Sequence, residues 1–166
     1  MKLPLVGAIL FALCFPVFAG PPGAPPDEFI AKAEELAEWI DDNSDFGPMT
    51  RHPAYVFLPG DTLQYTYFTA SGQPYPNDNY RIAAAYSRGV MFLPDTFDIT
   101  NLHHAGTLLH ELVHHLQFIE GRQYACGAAE ERDAYDLEDI WRAGHDLPPT
   151  LDPVLYFFVT TCPRER

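Results

Sequence analysis

At 166 residues the chain has room for one ordinary domain and is too short for two. Its 23 acidic side chains outnumber 10 basic ones, for a net charge of −13. That balance rules against nucleic acid and anionic membranes as partners, because favourable phosphate contacts need clustered lysine and arginine.

Lys2 is followed by an apolar run from Leu3 to Phe18, and Val17-Phe18-Ala19 precedes Gly20. A positive start, a short apolar stretch and a small residue at the cleavage point read as a signal peptide over residues 1–19. The run is too short and wrongly flanked for a membrane span. Cys14 follows Leu13, whose bulk stands where a lipoprotein signal wants a small residue, so lipidation is not expected. The expected location is periplasmic or extracellular, without stable membrane association after cleavage. Cleavage removes Lys2 and makes the surface one unit more acidic, a character suited to basic peptides and equally to plain solubility. Two cysteines then remain, Cys126 and Cys162, and an even pair in an oxidising compartment reads as a disulfide.

Residues 20–26 (GPPGAPP) hold neither helix nor ladder and read as a tether, leaving 27–166 as a single domain. Asp27 is expected to cap a helix to about Asp41, with Ile30, Ala33, Ala37 and Ile40 on one stripe. Loop follows to Pro53. Ala54 to Leu58 and Thr62 to Thr69 are aromatic and β-branched, which predicts two strands separated by Pro59-Gly60. Gln73 to Asn79 reads as loop. Arg81 to Tyr86 and Val90 to Leu93 read as a hairpin joined by Ser87-Arg88-Gly89. Asp98 or Thr100 can cap a helix running to about Glu120, with Gly121 as its stop, and a second long helix covers about Ala128 to Arg142. After Leu147-Pro148-Pro149, Asp152-Pro153 can start a last short helix, although Val154 to Thr161 is also suited to a strand. These elements make an α+β protein with a small, mostly antiparallel sheet packed on two long helices.

His110-Glu111-Leu112-Val113-His114 is an HExxH pattern inside the first of those helices. Residues four apart lie one turn above each other, so both imidazoles reach one metal ion from the same side. Glu111 projects beside them, where a carboxylate can take a proton from a water acidified by Zn²⁺. Leu109, Leu112, Val113 and Leu116 make the apolar stripe that pins the helix to a core. His103 lies about 10 Å away along the helix, too far for the same ion. His104 and His115 point elsewhere. A hydrolytic zinc site wants a third protein ligand and an open position. Gln117 and Glu120 occupy the positions where a metzincin has glycine and histidine, so that arrangement is excluded. Glu130, Glu131, Asp133 and Asp136, on the next helix, are the remaining candidates.

The HExxH segment followed by Glu131-Arg132-Asp133-Ala134-Tyr135 resembles the gluzincin branch of the zincin metallopeptidases, the thermolysin-like group, over roughly Arg81 to Arg142. The closest likeness is to small exported bacterial proteins with a minimal zincin-like domain. The resemblance implies a single Zn²⁺ on His110, His114 and Glu131, with Glu111 as general base and acid and a peptide or protein as substrate. It favours Glu131 over Glu130, which is turned about 100° around the helix, and leaves Glu130, Asp133, Asp136, Glu138 and Asp139 as a solvated face. Tyr135 stands where the family has an aspartate bonded to a ligand histidine; a phenol there can take that place or donate to an oxyanion. A Cys126–Cys162 bridge would anchor the loop that delivers Glu131. The strand from Arg81 to Tyr86, with Ala83-Ala84-Ala85, is the candidate edge for an extended substrate. Two other readings stay open: a zinc-holding interaction module with weak or no turnover, since the chain lacks the large second domain of thermolysin-like enzymes and His145 reads as a surface residue, and a hydrolase of another amide.

Overall fold

The computed structural model describes residues 25–71 and 82–163. The expected signal peptide (1–19), nearly all of the tether, the 73–79 loop and Arg81 lie outside the described residues. Along the chain come α1 (Asp27–Asn43), β1 (Ala54–Leu58), α2 (Gly60–Ser71), β2 (Ala85–Ser87), β3 (Val90–Pro94), α3 (Leu102–Glu120), α4 (Gly127–Ala143) and α5 (Pro153–Thr160). The fold is α+β.

Helix α1 buries Phe29, Ala33, Leu36, Ala37 and Ile40, one stripe at helical spacing. Its N-cap is Pro26 rather than Asp27; Asp27 and Glu28 instead fill the first turn, where the helix dipole favours negative charge.

The sheet has the order β1-β3-β2 and is mixed. β1 runs parallel to β3, with Ala54 opposite Val90, and β2 runs antiparallel to it. The expected strand at Thr62 to Thr69 is instead helix α2, so the sheet is not mostly antiparallel. A parallel pair cannot be closed by a hairpin; the chain must cross over, and α2 lies in that crossover. Leu63 and Gln64 are buried while Tyr65 faces solvent, and this one-sided burial overrides the β-propensity of the segment. The β2–β3 hairpin closes on two residues rather than three: Arg88 and Gly89 both take positive φ (47° and 91°), as a tight turn matching the strand twist requires.

Helix α3 runs through the core, burying Ala105, Leu108, Leu109, Leu112, Val113 and Leu116. Asn101, not Asp98 or Thr100, is its N-cap, accepting from the His103 amide. The Asp98 carboxylate closes the preceding turn through the Thr100 amide and hydroxyl. Gly121, with φ 65°, ends the helix as expected. Helix α4 returns antiparallel along α3, as the contacts His103–Arg142, His110–Glu138 and Gln117–Glu130 show. Gly106 permits the approach: a Cβ there would stand 3.3 Å from Glu138 Oε1 and 3.5 Å from Trp141.

The last segment is a helix. Asp152 caps it, accepting from the amides of Val154 and Leu155, with Pro153 in the first turn. Arg132 donates to the Thr160 carbonyl and Cys126 is disulfide-bonded to Cys162, so both hold α5 to the start of α4. Among the described residues no helix is long and apolar enough to cross a membrane.

Candidate metal centre

His110 and His114 occupy successive turns of α3 and turn the same atom outward. Their Nε2 atoms are 3.2 Å apart. Glu131, on the second turn of α4, brings Oε2 to 3.4 Å from His110 Nε2 and 3.6 Å from His114 Nε2. Three donor atoms therefore form a nearly equilateral triangle. Ligand bonds of about 2.0–2.1 Å in a tetrahedral arrangement set donors about 3.3–3.4 Å apart, so the triangle is one face of such a site. The group His110, His114 and Glu131 can hold a metal ion.

The far sides of the two rings determine where their protons sit. His114 Nδ1 lies 2.7 Å from Gln117 Oε1, and Gln117 Nε2 lies 2.9 Å from the main-chain carbonyl of Glu130. A carbonyl only accepts, so the Gln117 amide must present its NH₂ group there and its oxygen to His114. His114 then donates through Nδ1–H and keeps the Nε2 lone pair. His110 Nδ1 is 3.3 Å from Glu138 Oε2, close but off the hydrogen-bonding line. An acceptor at that distance again favours the proton on Nδ1. With the rings neutral, the two Nε2 lone pairs and the Glu131 oxygen face one another with no donor between them, an arrangement that calls for positive charge, a proton or a metal ion.

The titration behaviour of the group expresses the same demand. Burial acts against a charged imidazole at His110, yet the Glu131 and Glu138 carboxylates outweigh it and hold its pKa up at about 10. His114 is raised as well, burial opposing and Glu131 prevailing. Burial disfavours the charge on Glu131, but the two imidazoles hold its carboxyl far below the usual range. Glu111 moves the other way. Burial raises its pKa, with Glu131 and Glu138 adding to the effect and the imidazoles opposing it.

Glu138 was expected on a solvated face and is instead 2% exposed. Its Oε2 faces His110, and its Oε1 accepts from the Thr150 hydroxyl and lies 3.5 Å from Arg142 Nη1. Arg142, also buried, donates to the Pro148 carbonyl. This carboxylate stands seven residues after Glu131, two turns along the same face of α4. Glu138, rather than Tyr135, is the α4 residue that turns a carboxylate towards the His110 ring. The Tyr135 ring packs on His110, centroids 4.4 Å apart at 62°. The other acids lie outside the triangle: Asp133 accepts from Tyr124, Asp136 from Tyr156, and Asp139 from the Thr150 amide. Glu130 lines the cavity without joining the donors.

Four other histidines make contacts within the fold. His103 stays exposed and meets Arg142, and His104 bonds the Asp98 main chain. His115 is buried between the Arg51 carbonyl and the Tyr86 hydroxyl. His145 stacks on Trp141. Sequence reasoning missed Gln117 and Glu138. The three-residue step from His114 and the seven-residue step from Glu131 were the signals that place each on the face of its helix that carries the donors.

A cavity of about 470 Å³ opens over the triangle, with Glu111 in its wall. Residues 82–86 form another part of the wall, and the strand they enter, β2, is an edge of the sheet. The candidate substrate edge and the donor triangle therefore share one space. A smaller, mainly apolar cavity of about 180 Å³ adjoins it through Tyr67, Ala85 and Tyr86.

Residues 25–166 match the family described as Domain of unknown function (DUF6647), and the chain belongs to that family. No curated protein and no solved structure matches it.

Proposed function

We propose that this member of the DUF6647 family is an exported zinc-dependent hydrolase, acting as a metallopeptidase. The reading rests on one observation: two imidazole nitrogens and a carboxylate oxygen converge at tetrahedral spacing beside a buried glutamate, under an open cavity. Two nitrogens and one oxygen with a free fourth direction suit zinc better than calcium or magnesium, which take oxygen donors. His110, His114 and Glu131 would hold the ion. When bound, Zn²⁺ supplies a Lewis acid that polarises a carbonyl and makes water a better proton donor.

The chain's own residues do the rest. Glu111 takes a proton from the attacking water and hands it to the departing amine. Its burial raises its proton affinity towards the range such a shuttle needs. The exposed edge of β2 and residues 82–86 hold an extended chain through main-chain hydrogen bonds, and the small side chains of Ala83, Ala84 and Ala85 let that chain come close. Tyr135 steadies the His110 ring by packing on it. The disulfide between Cys126 and Cys162 fits an oxidising compartment, which supports export.

A second reading, a zinc-holding interaction module without turnover, draws on the cavity lining. Among the described residues no lysine, arginine or third histidine borders it to meet an oxyanion. Metal analysis of the purified chain, followed by digestion of a mixed peptide library, tests the proposal. One zinc per chain is expected, with cleavage that Glu111→Gln abolishes while the metal is retained. A chain that takes up no zinc defeats both readings; zinc uptake with no cleavage leaves the module.

A further inference from the structure

Gln117 is buried, 2% exposed, near the end of α3. None of the chemistry above uses it directly. Its amide oxygen is bonded to the ring of one ligand, His114, and its amide nitrogen to the carbonyl of Glu130, the residue joined to the other ligand from α4. Gln117 thus joins a ring of α3 to the main chain of α4 beside Glu131.

We infer that Gln117 is a positioning residue that couples the two halves of the metal site, so that the His114 ring and the Glu131 carboxylate are placed together. The inference rests on the zinc reading above. Two consequences of the geometry carry it. The amide holds His114 in the tautomer that leaves Nε2 free, because its own orientation is forced by the Glu130 carbonyl. The same bond fixes the first turns of α4 against α3, where a shift of about 1 Å would take Glu131 Oε2 out of range of a common ion. A residue that only oriented His114 would need no second bond. A residue that only packed the helices would need no carboxamide in a position this dry. The bulk of the coupling lies in the second helix, since His110 and His114 already share one rigid element and Glu131 does not.

A thermodynamic cycle on the full mature chain tests this, with zinc affinity read by competition against a chromogenic chelator. Gln117→Leu is expected to weaken zinc about ten- to a hundredfold in the wild-type background, the range seen for groups that orient metal ligands. In a Glu131→Gln background the same change is expected to cost only about two- to threefold, since the carboxylate it positions is gone. Equal losses in the two backgrounds would overturn the coupling, and a loss under twofold in the wild-type background would overturn any positioning role. Gln117→Met, unbranched and close in size, carries the same two comparisons if Gln117→Leu does not fold. Failure of the unmodified chain to bind zinc counts against the parent reading and is seen before any variant is made.

Discussion

Replacing Glu138 separates its contribution to the fold from its contribution to the metal centre. Its carboxylate is 2% exposed and faces the His110 ring, the Thr150 hydroxyl and the Arg142 guanidinium at once. Glu138→Leu leaves Arg142 buried without its carboxylate, and breaking a buried pair from one side costs about 3–5 kcal/mol. Glu138→Gln keeps the size and an acceptor oxygen for Thr150, so its stability cost is expected nearer 1–2 kcal/mol, the scale of a weakened buried hydrogen bond. The two substitutions should differ little at the metal, because each removes the negative charge behind His110 and lowers the basicity of that ligand. A loss of about ten- to a hundredfold in zinc affinity is expected for both. Urea unfolding of the metal-free protein gives the first pair of numbers and chelator competition the second. If Glu138→Gln left zinc binding unchanged, the 3.3 Å approach to His110 would be a packing contact only, and the account of how that ligand is held would fail.

Removing the bridge between Cys126 and Cys162 by Cys126→Ala with Cys162→Ala frees a loop with a sequence separation of 36. A chain-entropy treatment of that length gives about 4 kcal/mol. At an unfolding entropy of about 0.3 kcal/mol/K for a domain of this size, the melting temperature should fall by about 13 °C. Zinc affinity should fall with it, since Cys126 is the N-cap of the helix carrying Glu131; calorimetry and the same chelator assay check both. Metal removal should cost a similar amount and leave the fold standing. The apo chain is expected to keep its far-ultraviolet circular dichroism and melt cooperatively, while a thousandfold excess of zinc over its dissociation constant adds about 4 kcal/mol. A random-coil spectrum without metal would contradict it.

The long helices were legible because their signals are local and redundant. Helix α3 shows an apolar stripe at helical spacing, the HExxH pair on one face and a glycine stop, and each of these alone indicates the same element. Glu131 needed more than spacing, because five other acids share its helix and only the packing of α4 on α3 selects among them. The resemblance supplied that choice, and the structure brings the same residue to the triangle. Helix α2 was not legible for the opposite reason. Its threonines and tyrosines prefer strands, and what makes it helical is the crossover that parallel pairing of β1 with β3 demands, a relation between residues 36 apart, such as Ala54 and Val90. Glu138 and Gln117 were hidden by a different limit. An acid or an amide on a helix usually faces water, and the seven-residue step along α4 does not by itself say that its second and fourth turns share one buried seam with the histidines.

That seam accounts for how two helices suffice to bring the three donors together. The three donors come from two elements only, and those elements are fastened on both sides of the triangle. Towards the 121–126 loop, Gln117 reaches the Glu130 carbonyl and the disulfide fixes the first residue before α4. Towards the other end, Arg142 meets His103 and the Pro148 carbonyl, and Gly106 lets the helix axes close around Glu138. Fixing the pair at its ends meets the entropy of bringing Glu131 to His110 during folding, so an ion held there would have little ordering left to do. The opposite wall of the cavity, residues 82–86 and the edge of β2, belongs to the sheet side of the fold rather than to this helix pair.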